Sequence, residues 1–551
     1  MFEAQRVPSF HGLRLLTRST STTAPLFVAV WCVALCNAAF WGELWKVRGD
    51  LTATNLLFLG SVFVVAVLYV NLQLSLFTFR GLGRPVLALV LLASSVVAYF
   101  TSALGARIDP AMLHNVFETN AAESSELVTA RLATYFLVLG LLPTLFLLRT
   151  RIDYAPLATE IARKLRVAGW SALLAAPIAI LFYADFASLM RNHRELRYLV
   201  TPTNFLNGTL SYLRERNETR KEIRPIGLDA SAQRPSSAEG PHQLLVIVVG
   251  ETARGANFSL GGYGRETNPE LAAEDVLYFT DVRSSGTSTA ISLPCMFSNL
   301  GRSNFTPRRA KEQEGLLDVL AHAGFEVLWR DNDSGCKGTC DRVEYENLAK
   351  SQDPELCSTG ECFDEILLSG LQERLDRTTR DLVVVLHMHG SHGPGYHLRY
   401  PPAFERFTPT CRTLELGDCS HEELVNAYDN TILYTDHVLA ETLALLKRNA
   451  ARFDTGMIYV SDHGESLGEK GLYLHGMPYW MAPDEQTLVP MIVWTSEGLR
   501  RRRDLHWGAL ASRRTEPCSH DNLFHSVLGL LDVHTSAYRQ ELDLFSRSAQ
   551  Q

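Results

Sequence analysis

Carboxylates and histidines directly follow the apolar runs of this chain. Glu251 comes just after the run Leu244–Val249, and Asp462 and His463 follow the run Gly456–Val460. Further histidines have similar positions: His387, His389 and His392 after the run 382–386, and His475 after a glycine-rich turn. Carboxylate oxygens together with imidazole nitrogens suit Zn²⁺ or a similar borderline metal. The pattern therefore favours a metal site over a set of solvated loops.

A hydroxyl-rich segment supplies a candidate nucleophile. The segment Gly286–Ala290 reads GTSTA and comes just before a predicted helix start. A metal ion lowers the pKa of a bound hydroxyl, and a helix N-terminus stabilises an anion. Serine and threonine also cap helices without any chemistry, so the segment alone does not distinguish a nucleophile from a plain N-cap.

Alternating elements would bring these residues together. Five β-branched or apolar runs, at 244–249, 325–329, 382–386, 457–460 and 491–494, are separated by helical stretches, of which 422–447 is the clearest. Strands that alternate with helices predict an α/β domain with a mostly parallel sheet covered on both faces. Because active sites of such folds lie at the carboxyl ends of the strands, we expect Glu251, His387 and Asp462 to converge there.

The N-terminal part of the chain predicts a membrane domain. Five apolar stretches, beginning near Pro25, Leu51, Pro85, Leu132 and Val167, are long enough to cross a bilayer. A basic leader precedes the first without a small-residue cleavage site, which indicates an anchor rather than a removed signal peptide. Basic residues lie between spans two and three and between four and five, whereas the loop between three and four is acidic. The positive-inside rule therefore places the N-terminus in the cytoplasm and everything after about residue 191 outside.

Three ranges follow from this organisation. Residues 1–192 form the predicted five-helix transmembrane domain, and residues 242–551 the catalytic domain. Residues 193–241 are expected to form an amphipathic bridging helix that lies on the membrane, followed by a linker rich in alanine, serine and proline. The net charge of −8 argues against a nucleic-acid partner.

The acidic loop between spans three and four holds a second candidate site. Asn115, Thr119 and Glu123 are spaced by four residues, which on a helix places them on one face. From spacing alone, a solvated helix face at the membrane surface explains them better than a binding site.

The cysteines of the outer half predict disulfides. Three pairs are close in sequence: Cys336/Cys340, Cys357/Cys362 and Cys411/Cys419. Short-range pairs in an extracytoplasmic domain indicate disulfides rather than a zinc finger. Cys295 and Cys518 are left over, either paired with each other or free.

Four long motifs carry a resemblance to a known family. They are VVGETARGANFSLGGYGRETNP at 248–269, GTSTAISLPCMFS at 286–298, SHGP at 391–394, and SDHGESLGE with YLHGMP within 461–478. Over nearly the whole chain, the sequence resembles the lipid A phosphoethanolamine transferases, which include the mobile colistin-resistance proteins. The resemblance implies a bacterial inner-membrane protein with five spans and an alkaline-phosphatase-like (sulfatase-like) periplasmic domain. It also implies transfer of phosphoethanolamine from phosphatidylethanolamine to lipid A or lipooligosaccharide among the membrane lipids, with resistance to polymyxins as a consequence.

The resemblance also implies roles for single residues. Thr289 matches the nucleophile that becomes modified with phosphoethanolamine, and Glu251, Thr289, Asp462 and His463 match the ligands of one Zn²⁺. His392 and His475 match histidines that contact the phosphoryl group or a second zinc, and Lys337 matches a substrate-binding lysine. Asn115, Thr119 and Glu123 match residues that help to bind the lipid donor, which reverses the interpretation from spacing alone.

Two positions depart from the family pattern. Ser285 stands where relatives often have a cysteine bonded to the counterpart of Cys295, so the nucleophile loop is expected to be less rigid. Asp333 stands where some relatives have asparagine, and its carboxylate could offset the charge of Lys337. Two other functions stay open at this point: transfer to another periplasmic acceptor, such as core sugar, glucan or protein, and a non-catalytic membrane sensor.

Overall fold

A computed structural model describes residues 17–48, 51–118, 121–217, 223–232, 240–357 and 361–546. The chain divides into two compact units, each taken by itself below. The first comprises Met1–Pro110 and Val128–Ser211, and the second comprises Ala111–Leu127 and Tyr212–Gln551. Residues 111–127 therefore group with the second unit, although they lie inside the range expected for the transmembrane domain.

The first unit is helical. Its helices are Thr23–Leu35, Ala38–Arg48, Ala53–Phe77, Gly83–Ala103, Ala130–Arg149, Leu157–Leu181, Tyr183–Asn192 and Thr203–Asn217, the last of which ends in the second unit. Two short parallel strands, Thr17–Thr20 and Thr150–Asp153, pair with each other. Large apolar side chains remain on the outer surface of the helices, for example Ile180 and Leu181, which are each 77% exposed. Exposing so many apolar side chains of several long helices to water would be unfavourable, whereas lipid tails accommodate them.

Four helices of this unit are long and apolar enough to span a membrane, and a bent pair adds a fifth span if it counts as one. The five predicted spans are found in this form. The bend of 57° lies between Thr23–Leu35 and Ala38–Arg48. Asn37 lies at the break, where its side-chain amide donates to the carbonyls of Cys32 and Thr201 and accepts from the amide of Thr201. A polar side chain that competes for backbone groups in this way interrupts the helical ladder.

The second unit is built on an eight-stranded sheet. In spatial order its strands are Cys518–Ser519, Leu277–Arg283, Leu488–Thr495, Phe453–Ser461, His242–Gly250, Leu382–His387, Glu326–Asp331 and Glu344–Asn347. Only Leu488–Thr495 is antiparallel to its neighbours. All five predicted runs are strands, and the prediction of a mostly parallel sheet is confirmed.

Helices cover both faces of this sheet, as expected for a central strand that is apolar throughout. Along the strand His242–Gly250, Leu244, Val246 and Val248 pack into one core, which includes side chains of the helix His421–Arg448. Leu245, Ile247 and Val249 pack into the opposite core, with the helices Leu316–His322 and Asp521–Leu530. The remaining helices are Thr289–Met296, Pro307–Lys311, Leu371–Arg377, Asp484–Thr487, Glu497–Arg503 and Trp507–Ser512.

Part of the predicted linker is ordered against the second unit. Ile226 joins the core, and the side chain of Asp229 accepts hydrogen bonds from Thr535 and from the amide of Ser536. The short strand Ser231–Ala232 pairs with Val533–His534. A composition rich in small and proline residues therefore did not by itself indicate a free segment here.

The three short-range cysteine pairs are disulfides, as predicted. Cys295 and Cys518 are separate thiols, which decides between the two alternatives for them.

Candidate active site

Three neighbouring parallel strands deliver the predicted ligands to one edge of the sheet. Gly250 is in register with Ser461, and Val249 with His387. The residues that follow, Glu251 and Asp462, therefore leave the sheet side by side. The amide of Asp462 donates to the carbonyl of Gly250, which ties the two strand ends together.

Thr289 lies directly over this edge. It is the first residue of the helix Thr289–Met296, and its hydroxyl donates to Glu251 Oε2 at 3.0 Å and lies 3.4 Å from His463 Nε2. The next turn of the helix is anchored as well, because the hydroxyl of Ser292 donates to the carbonyl of Asp462. The short helix thus presents one hydroxyl to the predicted metal ligands.

The residues Glu251, Asp462 and His463 fit a divalent metal. One donor atom of each lies within 4.8 Å of the others, and all three side chains are fully buried. Glu251 Oε1 and Asp462 Oδ2 have no hydrogen-bond partner among the described residues. His463 Nδ1 lies 3.0 Å from the carbonyl of Gly464, so its hydrogen donates there and Nε2 keeps a lone pair toward the carboxylates. A fixed tautomer of this kind is what a metal-ligating histidine needs.

The electrostatics of this cluster also favour a bound cation. Burial, and then the charges of Asp462 and Asp333, raise the pKa of Glu251 well above its usual range. Burial raises the pKa of Asp462 too. Burial and the neighbouring His475 lower the pKa of His463 to about 3, so its imidazole is neutral. Two buried carboxylates beside a neutral imidazole lack a counter-charge, which a divalent cation would supply.

His475 and His392 line the same site. The ring centroid of His475 lies 4.4 Å from that of His463 and 5.5 Å from that of His392. Burial, and then the charge of His475, lower the pKa of His392 well below its usual value. Both imidazoles therefore lie beside the cluster of Glu251, Asp462 and His463, at positions that could contact a substrate bound to Thr289.

Comparisons with known proteins agree with this geometry. Residues 243–533 match the family model described as Sulfatase, and residues 66–217 match the model described as Phosphoethanolamine transferase EptA/EptB. The chain is 41% identical over 538 residues to Phosphoethanolamine transferase EptA of Escherichia coli (strain K12), which covers 96% of this chain and 98% of the relative. The chain belongs to the phosphoethanolamine transferase family. The recognition made from the four motifs is confirmed.

Two further relatives of this phosphoethanolamine transferase extend the match. Phosphatidylethanolamine transferase Mcr-1 of Escherichia coli is 37% identical over 524 residues, covering 92% of this chain and 94% of the relative. The solved structure titled as integral membrane protein lipooligosaccharide phosphoethanolamine transferase A (EptA) from Neisseria meningitidis superposes with a TM-score of 0.92 at 37% identity, covering 96% of this chain and 99% of that one. The predicted combination of a helical membrane part with a sulfatase-like domain is therefore confirmed.

Lys337 of the transferase lies at the end of a neighbouring strand, after Glu326–Asp331. Its ammonium donates to the hydroxyl of Ser334 at 2.7 Å, and that hydroxyl donates to Asp333 Oδ2 at 2.8 Å. Asp333 also accepts from His389 Nδ1 at 3.1 Å. Ser334 therefore lies between the lysine and the carboxylate expected to offset its charge.

Two residues important to the site escaped the sequence reasoning. Glu465 accepts from His475 Nδ1 at 2.9 Å and from the Tyr396 hydroxyl at 2.7 Å, so it orients the imidazole. His520 is 58 residues beyond Asp462 in sequence but contacts Ser292 on the helix Thr289–Met296. Its Nδ1 accepts from the amide of Ser285 at 3.0 Å, and its Nε2 lies 2.9 Å from the carbonyl of Ser461. Glu465 could have been noticed inside the DHGE motif, whereas nothing near His520 in sequence indicates its partners.

The residues predicted from the membrane loop are only partly described. Asn115 is half-buried on the helix Pro110–Glu118, which belongs to the second unit. Thr119 lies outside the described residues. Glu123 falls in the helix Ala121–Glu126, but its side chain is outside the described part as well. Their role in binding the lipid donor stays a prediction.

Proposed function

We propose that this protein transfers phosphoethanolamine from phosphatidylethanolamine to a phosphate group of lipid A or lipooligosaccharide, through a phosphoethanolamine-threonine intermediate on Thr289. The relatives at 37% and 41% identity are named as phosphoethanolamine or phosphatidylethanolamine transferases, and one solved relative is titled as a lipooligosaccharide transferase. The observation that carries the proposal is the hydroxyl of Thr289, 3.0 Å from Glu251 within a buried group of metal-ligand type.

The first half-reaction would load the threonine. The oxygen of Thr289 attacks the phosphorus of phosphatidylethanolamine, a new O–P bond forms, and the P–O bond to diacylglycerol breaks. The threonine hydrogen already points to Glu251 Oε2, so the geometry aims the proton at that oxygen. The leaving diacylglycerol oxygen takes up a proton in turn.

The second half-reaction would release the group. An oxygen of a lipid A phosphate attacks the same phosphorus, and the bond to Thr289 breaks. Positively charged or hydrogen-bond-donating groups around the phosphorus would stabilise its equatorial oxygens, and His392, His475 and Lys337 are the candidates that line this side. The product carries an added ammonium on an anionic headgroup, which weakens the attraction of cationic peptides such as polymyxins.

Zn²⁺ is the metal that the donor set favours. Glu251, Asp462 and His463, with the Thr289 oxygen, provide one nitrogen and three oxygens, a set of four that suits tetrahedral zinc. When bound, the ion would act as a Lewis acid and lower the pKa of the threonine hydroxyl. The buried oxygens without hydrogen-bond partners, Glu251 Oε1 and Asp462 Oδ2, support this assignment.

Membrane location follows from the same proposal. The apolar helices would hold the chain in the bacterial inner membrane with the catalytic domain in the periplasm, where both lipids are within reach. A soluble phosphatase or sulfatase would have no need for such helices.

The direct test combines two mass measurements. Lipid A from cells that express the wild-type protein should gain the mass of one phosphoethanolamine group, and lipid A from cells with Thr289→Ala should not. Intact Thr289→Ala protein should also lack the phosphoethanolamine adduct that the wild type carries after incubation with phosphatidylethanolamine. Thr289→Ser is the matched control, since it retains the hydroxyl. A modified core sugar with unmodified lipid A would contradict the proposed acceptor, and full transfer by Thr289→Ala would contradict the nucleophile.

A further inference from the structure

A second group of metal-ligand type lies beside the first and shares Glu251 with it. Donor atoms of Glu251, Asp333 and His387 all lie within 4.8 Å of one another, and all three residues are buried. Neither Asp333 nor His387 belongs to the ligand set assigned above. The proposed mechanism so far gives no role to His387, which ends the strand Leu382–His387.

His387 points an unused nitrogen into this group. The residue is fully buried, and its Nε2 has no hydrogen-bond partner among the described residues. The distance from this nitrogen to Asp333 Oδ2 is 3.9 Å, which is too long for a hydrogen bond. A buried imidazole nitrogen that makes no hydrogen bond is available to bind a cation.

The other nitrogen of His387 is held as a metal ligand requires. Its Nδ1 lies 3.0 Å from Asp331 Oδ2, and the same oxygen accepts from Trp329 Nε1 at 2.8 Å. Asp331 therefore fixes the ring orientation and accepts the hydrogen on Nδ1. A carboxylate behind the histidine is the usual support of a histidine that binds a metal.

The carboxylates around His387 are buried and close together. Glu251 uses Oε2 for the hydroxyl of Thr289, while Oε1 has no hydrogen-bond partner among the described residues. Asp333 is only 8% exposed and lies close enough to raise the pKa of Glu251. Glu251, Asp333 and Asp462 thus concentrate three buried carboxylates at one strand edge. A single divalent cation would compensate two of these three negative charges, and His389, 3.1 Å from Asp333 Oδ1, is the neighbouring group that can offset Asp333.

We propose that Glu251, Asp333 and His387 bind a second divalent cation, with Glu251 as the carboxylate shared between the two sites. The proposal rests on the proposed function, because it adds a cation next to the same nucleophile. Two cations joined by a carboxylate stabilise both the attacking and the leaving oxygen in phosphoryl transfer. The site also explains the departure at Asp333, since a carboxylate binds a cation more strongly than the asparagine of some relatives.

The test counts metal ions bound to the full-length protein in detergent. The protein is stripped with a chelator, loaded with excess ZnCl₂, desalted and analysed by elemental mass spectrometry. We expect two ions per wild-type chain and one per chain of Asp333→Asn, which changes a single side-chain group and keeps the shape. His387→Gln should also hold one. Thermal melting of each apoprotein verifies the fold, and Asp333→Asn decides the outcome if His387→Gln does not fold.

Asp436→Asn is the matched control. It replaces a buried carboxylate on the helix His421–Arg448, in the same unit, which accepts hydrogen bonds from the amides of Glu270 and Leu271. This variant should still hold two ions. Equal metal content of wild type and Asp333→Asn would overturn the inference and identify His387 as a buried imidazolium between Asp331 and Asp333. The lipid A measurement separates the two proposals: transfer by a wild type that holds one ion refutes only the second site, whereas absence of transfer refutes the proposed function.

Discussion

At the scale of single residues, the position of Thr289, the proposed nucleophile, depends on a histidine outside the proposed ligand set. His520 joins the amide of Ser285 before the nucleophile helix to the carbonyl of Ser461, and its Nδ1 also lies 3.2 Å from the hydroxyl of Ser292. Burial lowers the pKa of His520 to about 4, so the ring is neutral and can accept at one nitrogen while it donates at the other. It is therefore a positioning residue for Thr289.

Replacing His520 with alanine should therefore slow transfer and reduce stability. The buried amide of Ser285 would lose its acceptor, which costs about 1–3 kcal/mol of unfolding free energy. We expect kcat to fall more than tenfold with KM little changed, measured with a labelled phosphatidylethanolamine donor. His520→Asn, which can still accept from Ser285, should recover part of the rate, and His421→Ala, at an exposed position of the helix His421–Arg448, should behave as wild type. Wild-type kcat in His520→Ala would contradict the positioning role.

A second buried histidine makes stability depend on pH. His525 Nδ1 accepts from the amide of Arg539 at 3.0 Å, and burial lowers its pKa to about 4. In the unfolded chain this imidazole has a pKa near 6.5, so as the pH falls it binds a proton in the unfolded chain before it does so in the folded chain. Its stabilising contribution is therefore complete above about pH 6.5 and is lost as the pH falls toward about 4, by about 1.4 kcal/mol per pH unit. Thermal melting between pH 7.5 and 5 should show a shallower decrease for His525→Gln than for wild type. Equal slopes would rule out this contribution.

At the scale of elements, the nucleophile helix lacks a covalent restraint that relatives often have. Cys295 lies near the end of Thr289–Met296, and Ser285 lies close enough to its thiol to influence the pKa of the thiol. Burial raises the pKa of Cys295 to about 12, so the thiol is protonated and unreactive. The segment is instead held by hydrogen bonds, among them those to His520.

Ser285→Cys should form a disulfide with Cys295. The bond would close a short loop and stabilise the unit by about 2 kcal/mol. We expect a higher melting temperature that returns to the wild-type value on reduction, with transfer retained. Ser285→Ala is the control, for which a reductant should have no effect on melting. Failure of the pair to oxidise would show that the two side chains do not approach as the structure indicates.

A second element, the segment 111–127, packs within the catalytic unit through a buried ion pair. Glu126 receives a hydrogen bond from Arg399, whose side chain is 1% exposed and also contacts Glu361. Arg399 Nε donates to the carbonyl of His392 at 2.8 Å. The segment that carries Asn115 is therefore connected to a site histidine through a single arginine.

Glu126→Gln should loosen this connection. Loss of one charged hydrogen bond on a buried arginine costs about 1.5–3 kcal/mol, although Arg399 keeps Glu361. We expect a lower melting temperature and a higher KM for phosphatidylethanolamine. Glu497→Gln, at an exposed surface ion pair, should change stability by less than about 0.5 kcal/mol. An unchanged KM would show that the contact between Glu126 and Arg399 does not contribute to binding of the donor lipid.

At the scale of the whole molecule, the transferase combines helices long and apolar enough to span a membrane with a catalytic unit built on an eight-stranded sheet. The substrates and the leaving group proposed here are all lipids, so the apolar helices and the strand-edge site belong to one activity. Several buried carboxylates converge at one strand edge, so the charge balance of the site depends on the cation proposed there.

Removing the metal should stop the reaction and weaken the fold. Chelation of the full-length protein is expected to abolish transfer and lower the melting temperature, since an ion that binds only the folded chain stabilises it. Added Zn²⁺ should restore both properties, whereas Asp462→Asn should respond weakly to either treatment. An enzyme that transfers at its full rate after complete chelation would contradict the metal requirement.

The sequence by itself determined what depends on local pattern. The lengths of apolar runs identified the spans and strands, because a bilayer needs about 20 residues and a buried strand is apolar on both sides. Pairs of cysteines four to eight residues apart predicted the three disulfides, because residues so close in sequence are also close in space. The placement of Glu251 and Asp462 directly after strands predicted their convergence, since parallel strands end at one edge.

Only the tertiary structure decided which distant residues meet. His520 under Thr289, Glu465 behind His475, and His387 facing Asp333 and Glu251 depend on contacts between segments far apart in the chain. Local propensity has no information on such pairs, because their proximity is created by strand order and register. The order of hydrogen-bonded strands is a property of the folded sheet, and that order places the side chains at neighbouring strand ends within contact of one another.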